Sequence, residues 1–392
     1  MSGPLKGTRV LELASFISGP YAGMLLADLG ADVIKLELPG SGDPFREWSG
    51  KPGDHRPQFA AYNRGKRSIT VNLRTSTGVD IVKRLASDID VIIENFRPGT
   101  LDRMGLGYEV IRALNPRVIY CSVTGFGPAG PYHRKPTYDA IAQAVSGLWS
   151  NFSDLADPHP IGPAMSDQLS GLYAAQGVLA ALVSRGTSGE GQHVDVSMMA
   201  SSMAFITNPI ADYLMRGKVH GPHTRPRQSQ SYAFKASDGL PLAVHLSSVP
   251  KFWEAIVRAT GREDLLDDPR FRTKDDRVAN YDAVHDELQE AFGAKTRAEW
   301  LEVLEDHDVP VAAINSVAEA VEDPQAAHLG MVQTFGDGKR ALKLVGFPMS
   351  FGATPLEPDL PPPDLGEHNH EVLNGLGYPD GEIERFAAEQ VI

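Results

Sequence analysis

The stretch Ile161–Met198 reads IGPAMSDQLSGLYAAQGVLAALVSRGTSGEGQHVDVSM and decides how the rest of the chain is organised. Its pattern is loop, long helix, glycine break and strand. The helix is expected from about Asp167 to Arg185, with Ser166 or Asp167 as its N-cap. Leu169, Leu172, Tyr173, Leu179, Leu182 and Val183 supply apolar mass. Gly171, Ala174, Ala175, Gly177, Ala180 and Ala181 keep the helix thin enough for another backbone to approach. Gly186, Gly189 and Gly191 then end it, and HVDVSM resumes as a strand. One carboxylate, Asp167, is thereby set at the positive end of a long helix, which favours its anion. Such an aspartate can be a plain cap or a reactive group, and local sequence does not choose between them.

Working outward, the N-terminal side alternates strands and helices. TRVLEL (Thr8–Leu13) is a strand, PYAGMLLADLG a helix ended by Gly30, and DVIKLE (Asp32–Glu37) a second strand parallel to the first. The spacing invites a dinucleotide site with Glu37 on a ribose, but Gly19 and Gly23 do not make the glycine fingerprint and Pro20 removes an amide. RGKRSITVNLR puts Arg64, Lys66 and Arg67 before a strand and Arg74 after it. This is either a solvated basic turn or a phosphate clamp. A helix from Thr77 to Ala86, the strand Asp90–Asn95, a helix from Tyr108 to Leu114 and the strand VIYCSV complete a pattern that argues for a parallel, doubly wound α/β sheet. Ligands of such sheets sit beyond the carboxyl ends of the strands, where Asn95–Arg97 and Thr124–Gly127 emerge.

From about Ser231 the character changes to a hairpin turning at Asp238-Gly239 and charged helices. The expected organisation is a large domain from 1–225 and 326–392, with a smaller α+β domain at 231–325. The tail adds a strand in LKLVGFPMSF, a proline-rich arm and a terminal helix. His368 and His370, without a third ligand, are expected to serve backbone groups, so no metal is expected.

Composition narrows the function. The chain has 392 residues, 42% of them hydrophobic, and a net charge of −13. An acidic protein of this kind is not expected to bind nucleic acid or an anionic membrane broadly, so an anionic ligand must be held by local cations. The single cysteine, Cys121, rules out an intramolecular disulfide. No charged leader precedes an apolar run, and a cytoplasmic protein is the expectation. There is no P-loop, no G-x-S-x-G and no H-E-x-x-H.

Taken together, SGPYAGMLLADLGADVIKLELPGSGDPFR, NRGKRSITVNL, ENFRPGTLDRMGLGYE, TYDAIAQAVSGL, the Asp167 helix with TSGEGQHVDVSM, and LGEHNHEVL resemble the class III CoA-transferases, the family of formyl-CoA transferase and carnitine CoA-transferase. The resemblance runs in order from about Leu5 to the C-terminal helix. It implies a Rossmann-like large domain plus a smaller one, and two subunits threaded through each other as an interlocked homodimer. It places Asp167 on the family's catalytic aspartate, which forms a mixed anhydride and then an aspartyl-CoA thioester. It implies CoA or substrate contacts at Ser18, Asn72, Arg74, Asn95, Phe96, Arg97, Arg103 and Tyr138. No cofactor is implied, since the coenzyme A thioester is itself a substrate beside a small carboxylic acid. Ile17, where formyl-CoA transferase has glutamine, Leu38, where it has arginine, and the missing glycine run near Gln228–Tyr232 point to a different, larger acyl acid. The same superfamily holds α-methylacyl-CoA racemases, whose histidine is replaced here by Tyr138. A non-catalytic CoA-binding subunit is the remaining alternative.

Overall fold

The computed structural model describes residues 3–48, 56–247, 250–356 and 360–392. The chain divides into two compact units, the first made of Met1–Trp149, Pro160–Thr207 and Pro324–Ile392, the second of Ser150–His159 and Asn208–Asp323.

The first unit is built on six parallel strands: β1 (Arg9–Leu13), β2 (Asp32–Glu37), β3 (Lys66–Thr70), β4 (Val91–Glu94), β5 (Ile119–Thr124) and β6 (Gln192–Ser197). Their spatial order is β3-β2-β1-β4-β5-β6, so the winding reverses between β1 and β4. Both faces of the sheet are buried, which is why β1, β2, β4 and β5 read as nearly continuous apolar runs. Side-chain alternation splits them into two cores. Leu11, Leu13, Ile34, Leu36, Ile69, Ile92 and Tyr120 pack with Ile81, Val82 and Leu85 of the helix Ser76–Ala86 and with Val372, Leu373, Ile383 and Phe386 of the C-terminal helices. Val10, Val33, Val91, Ile93, Ile119, Cys121 and Val123 face Leu26 of the helix Ser18–Asp28 and Ala174, Val178 and Ala181 of the helix Met165–Ser188.

The Ser76–Ala86 helix shows how local chemistry sets an element. The Thr75 hydroxyl accepts from the Gly78 amide at 3.0 Å, and the 3.6-residue period puts Ile81, Val82, Leu85 and Ala86 on one buried face. The C-terminal segment returns to the sheet edge. His368 Nδ1 accepts from the Ser68 amide at 3.2 Å, and Asn369 Oδ1 from the Thr70 amide at 2.8 Å. A short antiparallel pair, β10 (Val332–Phe335) and β11 (Leu342–Val345), precedes it.

The second unit carries an antiparallel sheet of β7 (Ser231–Lys235), β8 (Pro241–His245) and β9 (Val311–Ala313). The β7–β8 turn passes through Gly239 at φ 78°, where a Cβ would be strained. Its core is aliphatic with an aromatic share, Phe234, Trp253, Phe271, Phe292 and Trp300 being buried in it. Residues 208–225, which the sequence assigned to the first block, belong to this unit. They lead into residues fastened to it, where Leu246 N donates to Gln230 O at 3.0 Å and Arg227 pairs with Asp282 at 2.6 Å. Among the described residues no helix is long and apolar enough to cross a membrane.

Candidate active site

The helix Met165–Ser188, here the site helix, begins two residues earlier than its sequence suggests and ends three later. Gly186 is accommodated inside it, and Gly189, at φ 78°, makes the C-cap. Ala164 is the N-cap and contributes no side-chain bond, so neither Ser166 nor Asp167 caps the helix. Ser166 is buried, its hydroxyl 2.7 Å from that of Ser202. Asp167 is the third helical residue, half-buried in the first turn. The small residues do what thinness predicts. A Cβ at Gly171 would lie 2.7 Å from the Ser18 carbonyl oxygen and 3.0 Å from Tyr21, so only glycine lets the Ser18–Asp28 helix cross this close.

The first-turn amide of Asp167 is already taken. It donates at 3.2 Å to Oδ1 of Asp139, the opening residue of the helix Asp139–Ser146, and the Ser166 amide also serves that carboxylate. Asp139 is tied further to Gln143 Nε2, which reaches the Pro163 carbonyl at 3.3 Å. This overturns the expectation that the helix end favours the Asp167 anion. Burial, and then the charge of Asp139, push the Asp167 carboxyl up to about 7. Among the described residues the Asp167 carboxylate oxygens have no hydrogen-bond or ion-pair partner.

A second group lies where the sheet's winding reverses. Asn95, leaving β4, bridges to the loop after β1. Its Oδ1 accepts from Ser15 N at 3.0 Å, and its Nδ2 donates to Ser15 O at 2.8 Å and to Ser18 Oγ at 3.2 Å. That loop holds Phe16 at φ 65°, a costly conformation for a bulky side chain. Asp43 Oδ1 fixes it by accepting from the Phe16 amide at 3.3 Å. The Phe16 ring meets Tyr138 edge-on at 6.0 Å and Phe45 at 5.5 Å. Asn95 thus ties the Ser15–Phe16 loop, whose ring meets Tyr138, and the next residue, Asp139, bonds the Asp167 amide. Tyr138 itself is 70% exposed.

The other residues singled out from sequence divide. Phe96 donates its amide to Glu94 Oε2 at 2.8 Å and packs on the first core. Arg97 and Arg103 are exposed on the segment after β4 and paired with no carboxylate among the described residues; Arg103 reaches only Thr100 Oγ1, at 3.2 Å. Asn72 and exposed Arg74 lie beyond β3. Asn72 is engaged with the tail, its amide donating to Val391 O at 2.7 Å, and among the described residues neither bonds to Asp167.

The basic run Arg64–Arg67 is neither a solvated turn nor a phosphate clamp. Arg64 pairs with Asp28 at 2.6 Å, Lys66 with Glu12 at 2.7 Å, and Arg67 with Asp32 and Glu371. Lys66 and Lys35 are wholly buried on either side of Glu12, and Lys35 also holds Asp43 at 2.9 Å. Burial holds the Lys66 ammonium down to about 8 against the pull of Glu12. Through Asp43 this charge network reaches the Phe16 loop. Glu37 is likewise committed internally, to Arg46 at 2.7 Å and Ser68 at 2.6 Å.

Sequence reasoning missed Tyr62 and the pairing of Asp139 with Asp167. The Tyr62 hydroxyl accepts from Gln168 Nε2 at 3.4 Å, its ring meets Tyr21 at 6.0 Å, and burial raises its pKa. Nothing local marks Tyr62. Asp139 stands at a visible helix start, but its partner is 28 residues away.

Known proteins match the chain throughout. The sequence profile of CoA-transferase family III matches residues 5–369. A mouse succinyl-CoA:glutarate CoA-transferase is 36% identical over 99% of this chain and 90% of its own length. A succinyl-CoA–D-citramalate CoA-transferase of Chloroflexus aurantiacus is 35% identical over 99% and 98%. The crystal structure of a CAIB/BAIF family protein from Brucella suis superposes with a TM-score of 0.86, at 35% identity, covering 96% of this chain and 100% of that one. With matches of this extent over a six-stranded parallel sheet, the chain belongs to CoA-transferase family III, as an acyl-CoA:carboxylate CoA-transferase.

Proposed function

We propose that this protein moves CoA from succinyl-CoA to a small dicarboxylic acid, using Asp167 as the nucleophile. The observation that carries the chemistry is the half-buried Asp167 carboxylate in the first turn of the site helix, unpartnered among the described residues. A structural aspartate at a helix start is normally spent on a backbone amide or a cation, and this one is spent on neither. The succinyl donor and diacid acceptor rest on the names of the mouse and Chloroflexus relatives. Ile17 at the start of the Ser18–Asp28 helix suits an acid longer than formate or oxalate.

In the proposed cycle an Asp167 oxygen attacks the thioester carbon, the C–S bond breaks, and CoA leaves as a thiolate from a mixed anhydride. The thiolate attacks Cγ of Asp167, releasing succinate and leaving an aspartyl-CoA thioester. The acceptor carboxylate attacks that thioester to form a second anhydride and free the thiolate. Attack on the acceptor's acyl carbon then gives the new thioester and regenerates Asp167. No step transfers a proton, so the working form is the ionised carboxylate, and splitting the exchange lowers each barrier. Arg97 and Arg103, exposed and unpaired with carboxylates among the described residues, suit the phosphates of CoA. The interlocked homodimer belongs to this proposal; exposed Leu214, Met215 and Val219 suit a covering subunit.

The test is succinyl-CoA with glutarate, monitored by mass for glutaryl-CoA, together with hydroxylamine trapping. Asp167→Ala abolishes exchange, and hydroxylamine places a hydroxamate on the wild-type Asp167 peptide. Exchange by the alanine variant, or trapping elsewhere, refutes Asp167 as nucleophile. Exchange with other acids alone refutes only the substrate assignment.

A further inference from the structure

Asp139 occupies an unusual place. Its carboxylate takes the first-turn amides of the site helix, Asp167 N at 3.2 Å among them, in the position a capping side chain would hold. Ala164 at the N-cap offers no oxygen, so the cap comes from another helix. Gln143 is wholly buried, and its amide nitrogen joins Asp139 to the Pro163 carbonyl, just before the helix begins. Among the described residues Gln143 Oε1 is buried without a partner, so this carboxamide holds Asp139 through its nitrogen alone. Three segments, around 139–143, Pro163 and 166–167, are thus joined through Asp139 and Gln143.

We propose that Asp139 is the positioning residue of the site: it anchors the backbone at Asp167 and holds a negative charge beside that carboxyl, setting the pH above which Asp167 attacks. This rests on Asp167 being the nucleophile. Among the described residues Asp139 is the carboxylate set against Asp167, and burial raises its own carboxyl as well. Tyr62, from the helix Pro57–Asn63, and Tyr21, from the helix Ser18–Asp28, are titratable but neutral near pH 7, their hydroxyls both raised by burial. The helix Met198–Phe205 presents Ser202. Arg64, the cation beside Tyr21, is committed to Asp28 at 2.6 Å. The arrangement leaves the Asp167 carboxyl without a pairing cation among the described residues, so its ionisation is set by burial and by Asp139. The consequence is a catalytic rate that climbs with pH through the neutral range, because only the ionised form attacks.

Asp139→Asn and Asp139→Ala separate the two roles. Asparagine keeps an oxygen for the Asp167 amide and removes the charge; alanine removes both. For kcat/KM with succinyl-CoA, the asparagine variant's acid limb moves down by about half a pH unit or more, with activity at pH 8 kept within about threefold. The alanine variant loses about tenfold or more at every pH, as expected when a reacting group is no longer held in place. An independent readout needs no turnover: carbodiimide labels protonated carboxyls, so the labelling of the Asp167 peptide, followed by mass across pH 5–9, reports its ionisation directly. The labelling midpoint falls in Asp139→Asn by the same amount as the acid limb. Coincident midpoints in wild type and Asp139→Asn overturn the proposal, as does an alanine variant with undiminished kcat/KM. A shifted labelling midpoint with no effect of Asp167→Ala on turnover retires the nucleophile assignment instead.

Discussion

Asp167→Asn raises the stability of the folded protein at pH 8 while removing transfer. The folded state holds the Asp167 carboxyl at about 7, against 3.8 for the free side chain. That difference of roughly three pK units corresponds to about 4 kcal/mol of preference for the protonated form. Asp167 is half-buried and keeps contact with water, so about 2 kcal/mol is the working figure. The sign follows from proton binding. Between pH 4 and 7 the unfolded chain has released this proton and the folded chain keeps it, so raising the pH favours unfolding. The cost is absent below about pH 4 and complete above about pH 7. Asparagine, similar in shape and uncharged, does not carry it. Thermal unfolding of wild type and Asp167→Asn across pH 5–8 therefore shows the variant ahead by about 2–4 °C at pH 8. The gap shrinks to less than half of that at pH 5. A gap that does not change with pH, or a variant less stable at pH 8, refutes the account of this carboxyl.

Two further outcomes follow from the charges the fold holds. Glu12→Gln leaves Lys35 and Lys66 buried without their shared counter-charge, and denaturant unfolding shows a loss of about 3–5 kcal/mol; a loss below about 1 kcal/mol refutes the network's weight. Arg97→Ala and Arg103→Ala each raise the KM for the CoA thioester about threefold to tenfold, with kcat little changed and the effect fading as salt rises; if kcat falls instead, these arginines do not act on the CoA phosphates.

Much of the fold was legible because its signals are local. The apolar runs of β1, β2, β4 and β5, the Asp238-Gly239 turn and the small-residue face of the site helix each depend on neighbours within a few residues. Periodicity and glycine placement carry that information directly. Asp167 could likewise be set at the start of a long helix, and the order of motifs was enough to name the family. What sequence could not assign were partners. Arg64, Lys66 and Arg67 look like a basic surface when read in line, yet β3 is drawn against β2 and all three turn toward carboxylates of distant segments. The C-terminal segment closes on β3 across some 300 residues of chain. Asp139 reaches the amide of Asp167 only because the two helices begin at the same place. A helix start by itself favours an anion, but a second carboxylate already on those amides, in a buried setting, reverses the preference. Sequence marked Asp167 as the candidate nucleophile; the tertiary structure decided what surrounds it, because electrostatic energy depends on distance in space and on access to water, neither of which is written in the order of residues.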